Sequence, residues 1–307
     1  MPTILLAEPH FSREALALLD TVGEVVPFER FDAELPRADA IVAGLELRLD
    51  RSVLDRAQSL SVIATRTTQL RHIDVDEAAR RGIVVLRIEP DDPVLQATTS
   101  TAEEAFALVL ALVRNVPWAF DAVRRGRWDR IRYGGHELNG KTIGLVGYGR
   151  LGRMVAGYAR AFGMDVLAHD PHVEVEDARS VSLHELLRHA DVVSIHCTFD
   201  EQTRGLIGAG ELALMRPGAV LVNTSRGEIV DEVALLGALE QGRLAGAAVD
   251  TLAGEEPDGS HLADHPLVRY ARTHENLIVL PHLGGATVDA TERTQLRISE
   301  RLAEHLR

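Results

Sequence analysis

Six residues able to take part in chemistry fall where β-like runs of the chain stop. Gly147 follows TIGLV, Asp170 follows VLAH, His196 follows VVSI, Arg226 follows VLVNTS, Asp250 follows AAV and His282 follows LIVLP. In an open parallel sheet, ligands bind in the crevice beyond the carboxyl ends of the strands. Glycine, carboxylate, imidazole and guanidinium arriving there strand after strand describe a charged reaction centre beside a cradle for a large ligand.

The cradle has the strongest local signal. The strand-like TIGLV runs into Gly147-Tyr148-Gly149-Arg150-Leu151-Gly152 and then into an amphipathic helical pattern. The first glycine permits a tight turn, the second lets backbone amides approach a pyrophosphate, and the third allows helix and strand to pack closely. Asp170 lies eighteen residues past Gly152, where a carboxylate binds the ribose hydroxyls and repels a 2′-phosphate. This points to NAD rather than NADP. A plain capping aspartate before Pro171 is the competing reading of Asp170.

Reduction or oxidation at a carbonyl needs a proton donor, a group that tunes it and a cation for the substrate. His282 stands apart from the other twelve histidines because it closes an apolar strand and precedes two glycines. Arg226 ends VLVNTS with Gly227 leaving room beside it, and a guanidinium binds a carboxylate bidentately at any working pH. Glu255 and Glu256 follow Asp250, and either could hold His282 protonated, since a nearby carboxylate raises an imidazole pKa.

The elements that must position these groups alternate along the whole chain. Strand-like runs at PTILLA, GEVVPF, DAIVAG, LSVIAT and GIVVLRI are separated by helical stretches, the βαβ rhythm of a parallel sheet covered on both faces. Pro90 and Pro93 punctuate the chain before a long apolar helical pattern, TAEEAFALVLALVRNVP. A second βα series starts at Lys141. The expected architecture is α/β with two Rossmann-like, doubly wound parallel-sheet domains. A nucleotide-binding domain over residues 101–284 is inserted into a smaller flavodoxin-like substrate domain made of 1–100 and 285–307.

Composition excludes several classes. Hydrophobic residues are 46% and charged residues 26% of 307, a globular balance. A net charge of −13 argues against nucleic-acid or anionic-membrane partners. No run of about 18 apolar residues spans a membrane, and MPTILLAEPHF does not read as a signal peptide. The single cysteine, Cys197, suits a reducing compartment, so a cytoplasmic protein is expected.

GYGRLG with Asp170, ADVVSIHCTFDEQTRGLI, NTSRGEIVDE, GAAVDTLAGEEP and LPHLGGAT together resemble the D-isomer-specific 2-hydroxyacid dehydrogenases. The resemblance implies an NAD-dependent enzyme that interconverts a 2-oxo acid and a D-2-hydroxy acid. It implies Arg226, Glu255 and His282 as the catalytic trio. Glu255 sits in the usual register five residues after Asp250, although the Glu-Pro pair of many relatives would select Glu256. It also places Gly147, Gly149, Arg150, Leu151, Gly152, Asp170, Cys197, Thr224, Ser225, Arg226, Asp250, His282 and Gly284 at the cofactor, with Cys197 packing rather than reacting. Thr68, Gln69, Arg71 and Arg226 would meet the substrate. A homodimer is implied, with the apolar helix near 102–114 contributing, and no metal is.

The substrate loop departs from the family pattern. ATRTTQLRHID has Thr67 and Gln69 where glycines are common and Arg71 in place of an aspartate. Gln69 would narrow the pocket or turn the loop away from positive φ, and Arg71 would anchor a second anionic group or form a surface ion pair. Two other classes compete. One is a non-catalytic NAD(H)-sensing protein of the same fold, corepressor-like; the other is a metal hydrolase using His261 and His265 on one helix face. A serine hydrolase is disfavoured by the absence of a G-x-S-x-G elbow.

Overall fold

The computed structural model describes residues 1–45, 47–256 and 258–307. The chain forms two compact units, Met1–Thr98 with Thr287–Arg307, and Thr99–Ala286.

In the first unit the strands are β1 (Thr3–Leu6), β2 (Glu24–Val26), β3 (Ala40–Ala43), β4 (Val62–Thr65) and β5 (Val84–Arg87). They lie in the order β2-β1-β3-β4-β5, all parallel, which is the flavodoxin-like arrangement. Side chains alternate between the two faces of a strand, yet nearly every position is apolar because both faces are covered. Leu5, Ile41 and Ile63 build one layer. Ile4, Val42, Val62 and Ala64 build the other, completed by Ile298 and Leu302 of the C-terminal helix Val288–Leu306. Gln295 of that helix donates to the His10 carbonyl and accepts from the Ser12 amide. Arg297 pairs with Asp92 at 2.8 Å, so the punctuated link is tied to the end of the chain.

The second unit contains β6 (Thr142–Val146), β7 (Asp165–His169), β8 (Arg179–Ser180), β9 (Val192–Ile195), β10 (Val220–Asn223), β11 (Gly246–Val249) and β12 (Leu277–Val279). Their order is β12-β11-β10-β9-β6-β7-β8, again parallel throughout. The order reverses between β6 and β9, the switch point where an open sheet binds its ligand. β8 has two residues and no apolar pattern, so nothing in the sequence marks it.

The long helical pattern before this sheet is two helices, Ser100–Val113 and Val116–Arg124. They are parted by Asn115 in the left-handed region at φ 53°, with Pro117 in the first turn of the second. Proline lacks the N–H that would continue the ladder and is at home in a first turn. Ala102, Ala105, Phe106, Val109 and Leu112 of the first helix are buried inside this unit. The exposed apolar side chains come just after this helix: Val116, Phe120, Val123, Trp128 at 86% and Ile131 at 92%.

Candidate active site

The glycine turn is shaped as its sequence requires. Gly147 has φ +97°, and a Cβ there would lie 2.4 Å from the Cys197 amide nitrogen, so only glycine fits between β6 and β9. A Cβ on Gly152 would lie 2.3 Å from the Gly147 carbonyl oxygen, which is how the Arg150–Ala161 helix gets so near the turn. At Gly149 nothing lies within 4 Å, so the space above the helix N-terminus is open. A dinucleotide pyrophosphate fits that space, where free amides and the helix dipole favour anions. Arg150 and Leu151 open the helix, and burial lowers the Arg150 pKa.

Asp170 follows β7 and is half-buried. Its Oδ2 accepts from the Tyr148 amide at 2.7 Å, and its Oδ1 accepts from His172 and Val173 at 2.9 and 3.1 Å. It therefore joins the glycine turn to the turn after β7. Cys197 is half-buried, and burial pushes its thiol up to about 11, so it stays protonated and packs. Its carbonyl accepts from the Ser225 hydroxyl at 2.6 Å. Thr224 is buried, and its hydroxyl has no hydrogen-bond partner among the described residues.

Strand-end position does not make His196 reactive. Half-buried, its ring shares a hydrogen bond with Ser194 at 2.9 Å, and burial pushes its pKa down to about 4. It is a neutral packing group, contrary to its place among the candidate bases.

His282 is built differently. It lies beyond β12 at φ +56°, and with Asn115 it is one of two non-glycine residues at positive φ among those described. Its amide donates to the Asp250 carbonyl at 2.8 Å, and the next two amides donate to the Asp250 carboxylate at 2.7 and 2.9 Å. Asp250 is 1% exposed and clamps the turn. The His282 side chain keeps 27% of its surface exposed, and its Nδ1 lies 2.6 Å from Glu255 Oε1. Burial alone would raise the Glu255 carboxyl, but the hydrogen bond and charge of His282, the Leu252 amide and nearby Arg226 outweigh it. The group sits below the usual carboxylate range. The Glu256 amide donates to His261 Nδ1 at 3.0 Å. Pro257, the proline of the Glu-Pro pair, lies outside the described residues.

Arg226 is half-buried at the start of the short Gly227–Ile229 turn. Its guanidinium donates to the Ser225 carbonyl at 2.6 Å, and its own carbonyl accepts from Asn223 at 2.8 Å. Gly227 does not leave room for a ligand as expected. A Cβ there would lie 2.1 Å from the Ala253 amide nitrogen, so the space is filled by the backbone leading to Glu255. Close backbone approach brings Arg226 and Glu255 together.

Thr68, Gln69 and Arg71 lie in the first unit, after β4. The loop is shaped by Thr67, whose hydroxyl donates to the Gln69 carbonyl at 2.8 Å, and by Arg87, which donates to the Thr68 carbonyl at 3.4 Å. Neither Thr67 nor Gln69 has positive φ, so the loop needs no glycine at these positions. Arg71 is exposed. Two partners in this loop had no sequence signal: Arg66 pairs with the buried Glu8 at 3.1 Å, and His72 shares a hydrogen bond with Thr65 while burial pushes its pKa down to about 4.

His261 and His265 do not share a helix face. One lies in the Ser260–Ala263 turn and the other just before the Pro266–Ala271 helix. His265 pairs with Glu232 at 3.1 Å, and among the described residues no group of three metal-ligating side chains forms. Glu104, beside Asp250, was not singled out by sequence reasoning either; a lone glutamate on a helix gives no such signal.

A parallel seven-stranded sheet with this glycine turn at its switch point defines a dinucleotide-binding protein of the doubly wound class. Residues 106–284 match the family described as D-isomer specific 2-hydroxyacid dehydrogenase, NAD binding domain. The chain belongs to that family. It is 35% identical, over its whole length, to a D-3-phosphoglycerate dehydrogenase of Methanocaldococcus jannaschii, of which it spans only 58%. It is 39% identical to a glyoxylate reductase of Aeropyrum pernix, covering 95% of this chain and 88% of that one. A solved D-lactate dehydrogenase from Aquifex aeolicus, complexed with NAD and lactic acid, matches with a TM-score of 0.80 and 29% identity over 99% of this chain and 95% of that one.

Proposed function

We propose that this protein is an NAD-dependent dehydrogenase that interconverts a 2-oxo acid and a D-2-hydroxy acid. The observation that carries the reading is the 2.6 Å contact between His282 Nδ1 and Glu255 Oε1, with Arg226 close enough to lower the same carboxyl. Bound NADH would supply the hydride for the carbonyl carbon. The chain's own residues do the rest. With Nδ1–H donated to Glu255, His282 has Nε2 left for the substrate, and a proton held there passes to the carbonyl oxygen as the alkoxide forms. Glu255 orients the ring and balances its charge. Arg226 binds the substrate carboxylate and polarises the carbonyl, placing fixed positive charge where negative charge develops.

Residues of the second unit would hold the cofactor: Gly147, Gly149, Arg150, Leu151 and Gly152 at the pyrophosphate, and Asp170 at the adenosine ribose. Cys197, Thr224, Ser225, Asp250 and Gly284 complete the set. The orphaned hydroxyl of buried Thr224 supports a polar ligand at that strand end. In the first unit, Thr68, Gln69 and Arg71 are assigned to substrate, with Arg71 suited to a second anionic group. A homodimer is part of the proposal, and Val116, Phe120, Val123, Trp128 and Ile131 are the exposed apolar residues a second copy would cover. Sedimentation of the purified protein checks it.

The direct test is NADH oxidation against a panel holding pyruvate, hydroxypyruvate, glyoxylate, 2-oxoglutarate, phenylpyruvate and phosphohydroxypyruvate. Turnover with at least one is expected, best with a doubly anionic member if Arg71 anchors substrate. Silence across the panel with NADH still bound would replace the enzyme by an NAD(H)-sensing protein of the same fold.

A further inference from the structure

The Ser100–Val113 helix carries a titratable side chain that the proposed reaction does not use. Glu104 Oε2 is buried, and no donor among the described residues reaches it. It lies against Gly284, where a Cβ would come within 3.0 Å of Glu104 Oε2 and 3.2 Å of Asp250 Oδ2. Two carboxyl groups thus flank the same backbone position. Asp250 already accepts the amides of Leu283 and Gly284. Two ionised carboxylates side by side in a buried place repel, whereas one proton between them makes a hydrogen bond. Burial, the charge of Asp250 and the hydrogen bond to it push Glu104 up to about 8.

We propose that Glu104 is a positioning residue: as a carboxylic acid it donates to Asp250 and holds that carboxylate against the amides of the turn carrying His282. The left-handed backbone of His282 is an uncommon conformation, kept only where its surroundings over-determine it. Ionisation of Glu104 sets two negative charges against each other, displaces Asp250 and loosens the turn.

The charged groups around this helix are few. β10 and β11, which pack on it, carry no titratable side chain. The Arg150–Ala161 helix brings Arg150, Arg153, Tyr158 and Arg160, the Val116–Arg124 helix brings Asp121 and Arg124, and Glu103 is on the helix itself. His282 stands on the clamped turn. After burial, Asp250 is the group among the described residues that raises the Glu104 carboxyl.

Thermal unfolding of the wild type and Glu104→Gln across pH 6 to 10, in roughly half-unit steps, tests the pair, because the amide donates to Asp250 at every pH. The folded Glu104 pKa lies above its unfolded value, so its stabilisation is full below the ordinary carboxylate range and is lost as pH rises to about 8. Wild-type Tm should fall relative to Glu104→Gln up to that pH and level off beyond it. Parallel Tm curves would overturn the proposal. The turnover arm rests on the dehydrogenase reading. There, wild-type kcat should fall about tenfold per unit above pH 8, and Glu104→Gln should lack that limb. A retained limb counts against the proposal. The expected relative fall of wild-type Tm without turnover of any 2-oxo acid would sink the dehydrogenase reading alone; parallel curves with turnover intact would sink this one alone. Should Glu104→Gln not fold, infrared spectra decide. A carboxylic-acid band of the wild type at neutral pH should shift to lower pH in Asp250→Asn, and an unmoved band refutes the shared proton.

Discussion

The carboxyl ends of β9 and β12 each present a histidine, and the two are opposites. His196 is half-buried at the end of β9, bonded to Ser194, with its charged form suppressed. His282 stands on a left-handed turn with part of its ring exposed, one nitrogen held by Glu255 and the other free of that contact. Position at a strand end is shared. What separates them is whether a counter-charge faces the ring and whether the backbone turns it out of the layer.

Replacing each histidine should therefore break different properties. His282→Ala should lower kcat by about 10² to 10⁴-fold while NADH affinity, read by fluorescence titration, changes little; equal loss of both would remove His282 from the chemistry. Glu255→Gln keeps the shape and removes the charge, and a loss of about 10²-fold in kcat is expected. It should also flatten acid unfolding, since a depressed carboxylate contributes stability above its unfolded pKa that is lost as pH falls through the folded one. His196→Leu should leave kcat of the folded fraction within a few-fold and cost about 1–3 kcal/mol in denaturant unfolding. A neutral buried imidazole favours the fold above pH 6.5, and that advantage is lost toward about 4. Wild-type Tm should therefore drop more than the variant's in this window. A large kcat loss in His196→Leu would erase the contrast.

Much of the architecture was legible beforehand because it depends on local pattern. Short apolar runs alternating with helical ones require a covered parallel sheet, and each of the expected runs PTILLA, GEVVPF, DAIVAG, LSVIAT and GIVVLRI contains a strand. Where local signal was weak, reading failed: β8 is too short to have a period, and the break at Asn115 needed one residue's φ. Gly227 looked like vacant space, yet its hydrogen faces the Ala253 backbone.

By itself the sequence determined the strand–turn–helix that makes the glycine cradle, since turn, strand and helix there are contiguous and each glycine has a steric reason to be one. It also determined the family. Tertiary structure decided which groups meet: Glu255 with His282 across 27 residues, Asp250 with the turn 33 residues on, and Glu104 of the Ser100–Val113 helix with Asp250 beyond β11. Contacts of that kind depend on how layers pack and which side chains lose their water, and neither burial nor the pKa that follows from it is written in local spacing.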